Sequence, residues 1–266
     1  MRPEIVSLAL ALSFALLATG CSSNQGVPNT SSTQIPAISN ASANKPLINA
    51  TVNGDEPMNY TKERVELTAS DGTKLVGSYY DSDSDRGLVL LHQLDLDRST
   101  WDAFAQQAQR DGYVAIAIDF RGHGESQGSW RSFTDKDFQD MLLDAEAAAS
   151  YLQQRGKRVS AVLGASIGAN TVFRYSSIHH VPAVLLSPGL AYHGIDINDT
   201  TSNASTLIVV ARGDTYAYGS SVELDRNNLF GQHDLLVLPG TAHGTYLLAE
   251  GNVTAEIFGF LGKNAK

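Results

Sequence analysis

A serine set among small residues interrupts the chain at Gly164-Ala165-Ser166-Ile167-Gly168, the pattern G-x-S-x-G. A serine hydroxyl is scarcely ionised at neutral pH, so it becomes a nucleophile only beside a base and only where the backbone holds it clear of its neighbours. The spelling supplies the second condition. The preceding run, Val159-Ser160-Ala161-Val162-Leu163, is too short for a helix and suits a buried strand. A strand that turns sharply into a helix holds its corner residue in a strained conformation, and the positions two away must then be glycine or similarly small. A helix starting near Ile167 also directs unpaired N–H groups at an oxyanion forming beside Ser166. Taken alone the five residues are also an ordinary glycine-serine turn, so the partners decide.

Acyl transfer by serine needs a base to take the hydroxyl proton and a carboxylate to orient that base. Asp214, in Arg212-Gly213-Asp214, and His243, in Pro239-Gly240-Thr241-Ala242-His243-Gly244, have the right chemistry. Each has a plainer reading: an aspartate after glycine caps turns and helices, and a histidine among small residues is often a solvated loop side chain. Asp196 is a competing acid. What joins Ser166, Asp214 and His243 is where they stand relative to the strands.

Residues 64–68 and 75–80, around the turn cluster 70–73, have the pattern of an antiparallel hairpin. Continuous apolar runs follow at 88–91, 114–118, 159–163, 183–186, 207–210 and 235–238, as expected of strands buried on both faces. Helical stretches are expected at 101–110, 138–154, 169–175, 221–228 and 255–261. Strands alternating with helices imply right-handed crossovers and a mainly parallel sheet covered on both sides. Ligands bind such sheets at the carboxyl ends of the strands. The run 88–91 exits into His92-Gln93-Leu94-Asp95, the run 114–118 into Asp119-Phe120-Arg121-Gly122-His123-Gly124-Glu125-Ser126, and the next into Ser166. Asp214 and His243 stand at the exits of the last two. All three groups therefore belong to one rim.

Through four blocks, L-V-L-L-H-Q-L, D-F-R-G-H-G-E-S, G-A-S-I-G and the G-D and A-H-G endings, residues 65–262 resemble the α/β-hydrolase family. The chain is most similar to the compact dienelactone-hydrolase-like branch, with serine where dienelactone hydrolase has cysteine. The resemblance implies an α/β-hydrolase fold, with a mostly parallel eight-stranded sheet, helices on both faces and no large lid domain. It implies Ser166 as nucleophile, His243 as general base and Asp214 as the orienting carboxylate. The oxyanion hole falls to the backbone N–H groups of Ile167 and Leu94. Gln93 departs from the usual glycine, and its amide becomes a candidate for lining the site. His92, His123 and Asp119 are expected to build loops rather than do chemistry. Residues 190–204 have room for a loop or one short helix. Tyr192, Tyr216 and Tyr218 stand near strand exits, as pocket walls or as ordinary surface tyrosines. His179, His180 and His193 lack metal-ligand spacing, so no metal and no cofactor are expected.

The net charge of −9 argues against nucleic acid or an anionic membrane surface as a partner. Cys21 is the single cysteine, which excludes an intramolecular disulfide. It follows an apolar segment and Ala18-Thr19-Gly20, an arrangement that resembles the lipobox of prokaryotic lipoproteins. The expected organisation is a signal peptide over 1–20, a lipidated Cys21 with a disordered tether over 21–58, and the hydrolase domain over 59–266. The tether is rich in Ser, Asn, Thr, Ala and Pro and cannot bury enough surface to order itself. Sequons stand at Asn29, Asn40, Asn49, Asn59, Asn198, Asn203 and Asn252, as on a glycosylated surface protein. An archaeal cell surface would reconcile them with a lipobox. The reading is an extracytoplasmic serine hydrolase, held to the membrane by lipid, that cleaves a carboxylic ester of a small acyl substrate. Thioester or peptide cleavage uses the same machinery, and a non-catalytic surface binding protein of the same fold is the alternative from a different class.

Overall fold

A computed structural model describes residues 61–227 and 231–266; the signal, Cys21, the tether and the sequons at Asn29, Asn40, Asn49 and Asn59 lie outside the described residues. In chain order the first elements are β1 (Lys62–Thr68), β2 (Lys74–Tyr80), β3 (Arg86–Leu91), α1 (Asp102–Arg110) and β4 (Val114–Ile118). Next come α2 (Asp135–Gln139), α3 (Met141–Gln154), β5 (Arg158–Ala165), α4 (Ile167–His179) and β6 (Ala183–Leu186). The last are β7 (Ala191–Tyr192), β8 (Ile195–Asp196), β9 (Thr206–Ala211), α5 (Thr215–Asn227), β10 (His233–Leu238) and α6 (Val253–Asn264).

Eight strands form one sheet in the order β1-β2-β4-β3-β5-β6-β9-β10. The first two pairings are antiparallel and every pairing from β4 to β10 is parallel. The strands are apolar without interruption because both faces are covered. Along β3, Val89 and Leu91 enter one core while Leu88 and Leu90 enter the other, and β4 divides in the same way between Ile116 and Ala115. The first core packs under α3 and α4, the second under α1 and α6. The expected sheet, mostly parallel and eight-stranded with helices on both faces, is the one observed, and among the described residues no large lid stands over it.

The helix boundaries differ from those expected for reasons visible in the side chains. The expected helix at 138–154 is two, because Thr134 and Asp137 form a capping box that starts α2 early and the chain restarts after Asp140. α5 begins at Thr215, before the expected 221, and its buried face is Ala217, Ser220, Ser221 and Leu224. Three of those four are too small to register as an apolar stripe. Residues 190–204 hold neither a plain loop nor a helix: β7 and β8 pair there as a two-stranded hairpin. Of the three sequons within the described residues, Asn203 and Asn252 are exposed and Asn198 is half-buried.

One buried ion pair fixes the turn that leaves β4. Arg121 is 6% exposed, and its guanidinium donates to Asp144 Oδ1 at 2.9 and 2.8 Å, while its own N–H donates to Asp144 Oδ2 at 2.9 Å. The same guanidinium reaches Asp71 Oδ2 in the β1–β2 turn at 2.7 Å. Replacing Arg121 strands a carboxylate that has no access to water. Arg121→Met is expected to lower the unfolding free energy by about 3–5 kcal/mol, read as a lower midpoint in urea denaturation with an unchanged slope.

Candidate active site

β5 cannot continue past Ala165, because Ser166 takes φ 53° and ψ −117°, a conformation outside strand and helix alike. The cost of that conformation is offset by its surroundings. Ser166 N–H donates to Leu186 O at 2.8 Å, and Ser166 O accepts from the N–H groups of Ala169 at 2.9 Å and Asn170 at 3.2 Å. The flanking glycines answer to contact. A Cβ on Gly164 would stand 2.1 Å from Gly168 O, and one on Gly168 would stand 2.5 Å from Leu91 O. Helix α4, strand β5 and strand β3 therefore touch backbone to backbone at this corner.

That contact also sets the amide donors. Ile167 opens α4, so its N–H is one of the helix's unpaired first-turn donors. Gly168 crosses the carbonyls of Leu91 and His92, which brings the loop carrying Leu94 against the same turn. Leu94 is half-buried in a turn closed by Leu96 N–H on Gln93 O at 3.3 Å, with Asp95 at φ 67°.

The acid and the histidine come together through their loops. Gly213 N–H donates to Gly240 O at 2.8 Å and Arg212 N–H to Leu238 O at 2.8 Å, which stitches the exits of β9 and β10 side by side. His243 Nδ1 lies 2.6 Å from Asp214 Oδ2. With Nδ1–H donating to the carboxylate, Nε2 is left as the basic nitrogen. The His243 side chain is 37% exposed and that of Asp214 is 14% exposed, so the pair meets solvent mainly on the imidazole side. Asp196, the competing acid, is exposed on β8 and accepts from Asn198 N–H at 2.8 Å.

Beyond His243 the chain is strung across the sheet's rim. Gly244 N–H donates to Ser187 Oγ at 3.1 Å, and the N–H and hydroxyl of Thr245 donate to Gln93 Oε1 at 2.7 and 2.9 Å. Ser187 leaves β6 and Gln93 leaves β3, the two neighbours of β5. The segment that starts at His243 thus spans the end of the strand that carries Ser166. The amide oxygen of Gln93 is taken up by Thr245, so this side chain anchors the histidine loop. Ser187 and Asn170 were not singled out by sequence reasoning. Asn170 Nδ2 donates to Ile195 O at 2.9 Å and its Oδ1 accepts from Gly189 N–H at 3.1 Å, which ties α4 to the β7–β8 hairpin. Only the closeness of Asn170 to the G-x-S-x-G block hinted at such a part.

The remaining polar side chains build loops. His92 is fully buried, donates from Nδ1 to Gln93 O at 2.7 Å and accepts Phe120 N–H at Nε2 at 3.1 Å. His123 donates from Nδ1 to Arg121 O at 2.9 Å and stacks on Trp130. Asp119 accepts from the N–H groups of Arg98 and Glu125, both at 2.8 Å, and from the Arg98 guanidinium. Of the three tyrosines, Tyr218 accepts from Arg212 Nη1 at 3.0 Å and Tyr216 is half exposed. Tyr192 is half-buried, and its hydroxyl donates to Ser187 O at 3.4 Å.

Sheet order, crossover pattern and rim together define the α/β-hydrolase fold, and comparison with known proteins agrees. Residues 83–213 match the family model described as "Serine aminopeptidase, S33". A non-heme haloperoxidase of Rhodococcus erythropolis is 34% identical over 113 residues, which is 42% of this chain and 38% of that protein. The chain thus matches little more than a third of the length of that curated relative. Among solved structures, an esterase of Pyrococcus furiosus superposes with a TM-score of 0.67 at 20% identity, over 81% of this chain and 96% of that one. An esterase of Thermogutta terrifontis superposes with a TM-score of 0.61 at 18% identity, over 77% and 100%.

Burial holds His92 neutral, with its pKa pushed down to about 3. The unfolded chain takes up a proton near the ordinary value of about 6.5, so between those values the unfolded state binds more protons. Stability is then complete above about pH 6.5 and falls on acidification, by up to about 1.4 kcal/mol per pH unit from this one group. Urea unfolding between pH 7 and 5 is expected to show that decline, and His92→Gln is expected to flatten it even though the variant starts less stable.

Proposed function

We propose that this protein is a serine hydrolase that cleaves carboxylic esters through an acyl-enzyme. The observation that carries the reading is the 2.6 Å contact between His243 Nδ1 and Asp214 Oδ2, on a segment anchored to both neighbours of the strand that ends in Ser166. In this reading His243 Nε2 takes the Ser166 proton as Oγ bonds to the acyl carbon. Charge on the former carbonyl oxygen is met by the N–H groups of Ile167 and Leu94. The imidazolium returns the proton to the leaving alkoxide, and Asp214 stabilises the cation without taking its proton. Water then repeats the sequence, with Ser166 Oγ as the leaving group and the carboxylic acid as product.

An ester of a small or surface-accessible acyl group is favoured, since no large lid covers the rim and the imidazole is partly exposed. The same outline supports placing the chain near the dienelactone-hydrolase-like branch. The family description "Serine aminopeptidase" supports peptide bonds as a second substrate class. We further propose export of the chain and anchoring through lipid on Cys21, with residues 22–58 as a tether and N-glycans at exposed sequons.

A fluorophosphonate probe is expected to label the wild type and leave Ser166→Ala unlabelled. Turnover of p-nitrophenyl esters by that variant is expected to fall at least ~10³-fold, and Asp214→Asn is expected to lose a comparable factor while still folding. A wild type that stays unlabelled beside a reactive control hydrolase would favour the binding-protein alternative. Ester turnover with no detectable cleavage of aminoacyl p-nitroanilides or peptides would exclude the peptidase reading. For the tether, mass spectrometry of the native protein is expected to find the chain starting at a lipid-modified Cys21; an unmodified Met1 start would remove that part.

A further inference from the structure

The backbone donor assigned to Leu94 and the base assigned to His243 are carried by loops that leave β3 and β10, and β5, β6 and β9 lie between those strands. The sheet's own hydrogen bonds set how far apart the strands run. They do not set where two loops stand above them. Gln93 joins the loops, with its backbone in one and its side chain against the other.

The backbone end decides where the Leu94 amide points. Gln93 O accepts from His92 Nδ1 at 2.7 Å and from Leu96 N–H at 3.3 Å. The His92 ring is fully buried and is held at its other nitrogen by Phe120 N–H at 3.1 Å. Gln93 C=O and Leu94 N–H belong to one trans peptide unit. In a planar trans peptide these two bonds point in opposite directions. A carbonyl turned towards the buried imidazole therefore turns the Leu94 N–H away from it.

The side-chain end decides where the histidine loop rests. Gln93 Oε1 accepts from the N–H of Thr245 at 2.7 Å and from its hydroxyl at 2.9 Å. A backbone N–H can be met only by an acceptor, so the amide presents its oxygen here and not its nitrogen. Gln93 is 5% exposed, which leaves water little access to replace either bond. Between His243 and Thr245, Gly244 takes φ 59°, and a Cβ there would overlap Gln93 Oε1. Glycine alone lets the loop settle this closely on the amide.

We propose that Gln93 is a positioning residue, which holds the Leu94 N–H and the His243 imidazole at one fixed separation across the strand that ends in Ser166. The inference rests on the roles proposed above for Ser166, His243 and Leu94. Proton removal from Ser166 and charge stabilisation at the carbonyl oxygen belong to the same transition state, so both donor and base must be in place together. Gln93 acts through these two groups. Its loss is felt in the rate of the chemical step and hardly in the binding of the ester.

Gln93→Met keeps the length of the side chain and removes the acceptor, whereas Gln93→Glu presents an acceptor oxygen in either protonation state. With p-nitrophenyl acetate, kcat of Gln93→Met is expected to fall about 10- to 100-fold with KM within about twofold. Fluorophosphonate labelling of Ser166 is expected to slow by a similar factor, and Gln93→Glu is expected to recover both rates to within about fivefold of wild type. The proposal is overturned if Gln93→Met keeps kcat within about twofold, if its loss lies in KM, or if Gln93→Glu is as slow as Gln93→Met. Should Gln93→Met fail to fold, Thr245→Val decides, since it removes the hydroxyl bond and keeps the backbone one. Its kcat is then expected to fall about threefold or more at constant KM, and an unchanged kcat overturns the proposal. A wild type that neither labels nor hydrolyses overturns the roles of Ser166 and His243 together with this one, whereas an active wild type matched by Gln93→Met overturns this one alone.

Discussion

Everything at the rim depends on how closely α4 can lie against the strand it grows from. The carbonyl of Gly168 stands where a side chain on Gly164 would begin, and the carbonyls of Leu91 and His92 stand where one on Gly168 would begin. Backbone contact of this kind leaves no slack. It forces the corner residue into a positive φ, aims the helix's first amides at the space above that residue, and presses the loop after β3 into the same space. Moving any of the three by the width of a methyl group moves the other two. The positioning that the proposed acyl transfer would need is thus a by-product of packing rather than of a dedicated set of hydrogen bonds.

The second half of the site is assembled by a different device. His243 comes from the far edge of the sheet, and the strand it leaves is separated from β5 by β6 and β9. Two side chains from the neighbours of β5 reach up and hold the backbone that follows it. Neither Gln93 nor Ser187 touches Asp214, so the carboxylate orients the ring while the amide and hydroxyl locate the loop. Buried neutral His92 and the Arg121–Asp144 pair stiffen the exits of β3 and β4 below. Most buried polar groups described at this rim find partners, as groups withdrawn from water generally do, with His123 Nε2 the exception.

The sequence made the sheet legible because strands covered on both faces are continuous apolar runs, and no other short element has that signature in alternation with helices. The strand-exit positions of Ser166, Asp214 and His243 were legible for the same reason, since each exit could be located first. α5 began earlier than expected because alanine and serine bury a helix face without announcing it. The β7–β8 hairpin was missed because strands two residues long have no periodicity to detect. Gln93 and Ser187 were obscure in their roles because their partners lie 152 and 57 residues away. A side chain whose partner is that distant leaves no local trace.

The hairpin after β6 is held at its base by Asn170 and at its tip by α2, where His193 stacks on Phe138 with centroids 4.3 Å apart and Gly194 O accepts from Gln139 Nε2 at 3.1 Å. A flap pinned at both ends has no hinge. In the proposed hydrolase this hairpin would be a fixed wall of the rim, presenting the same surface to substrate and to product.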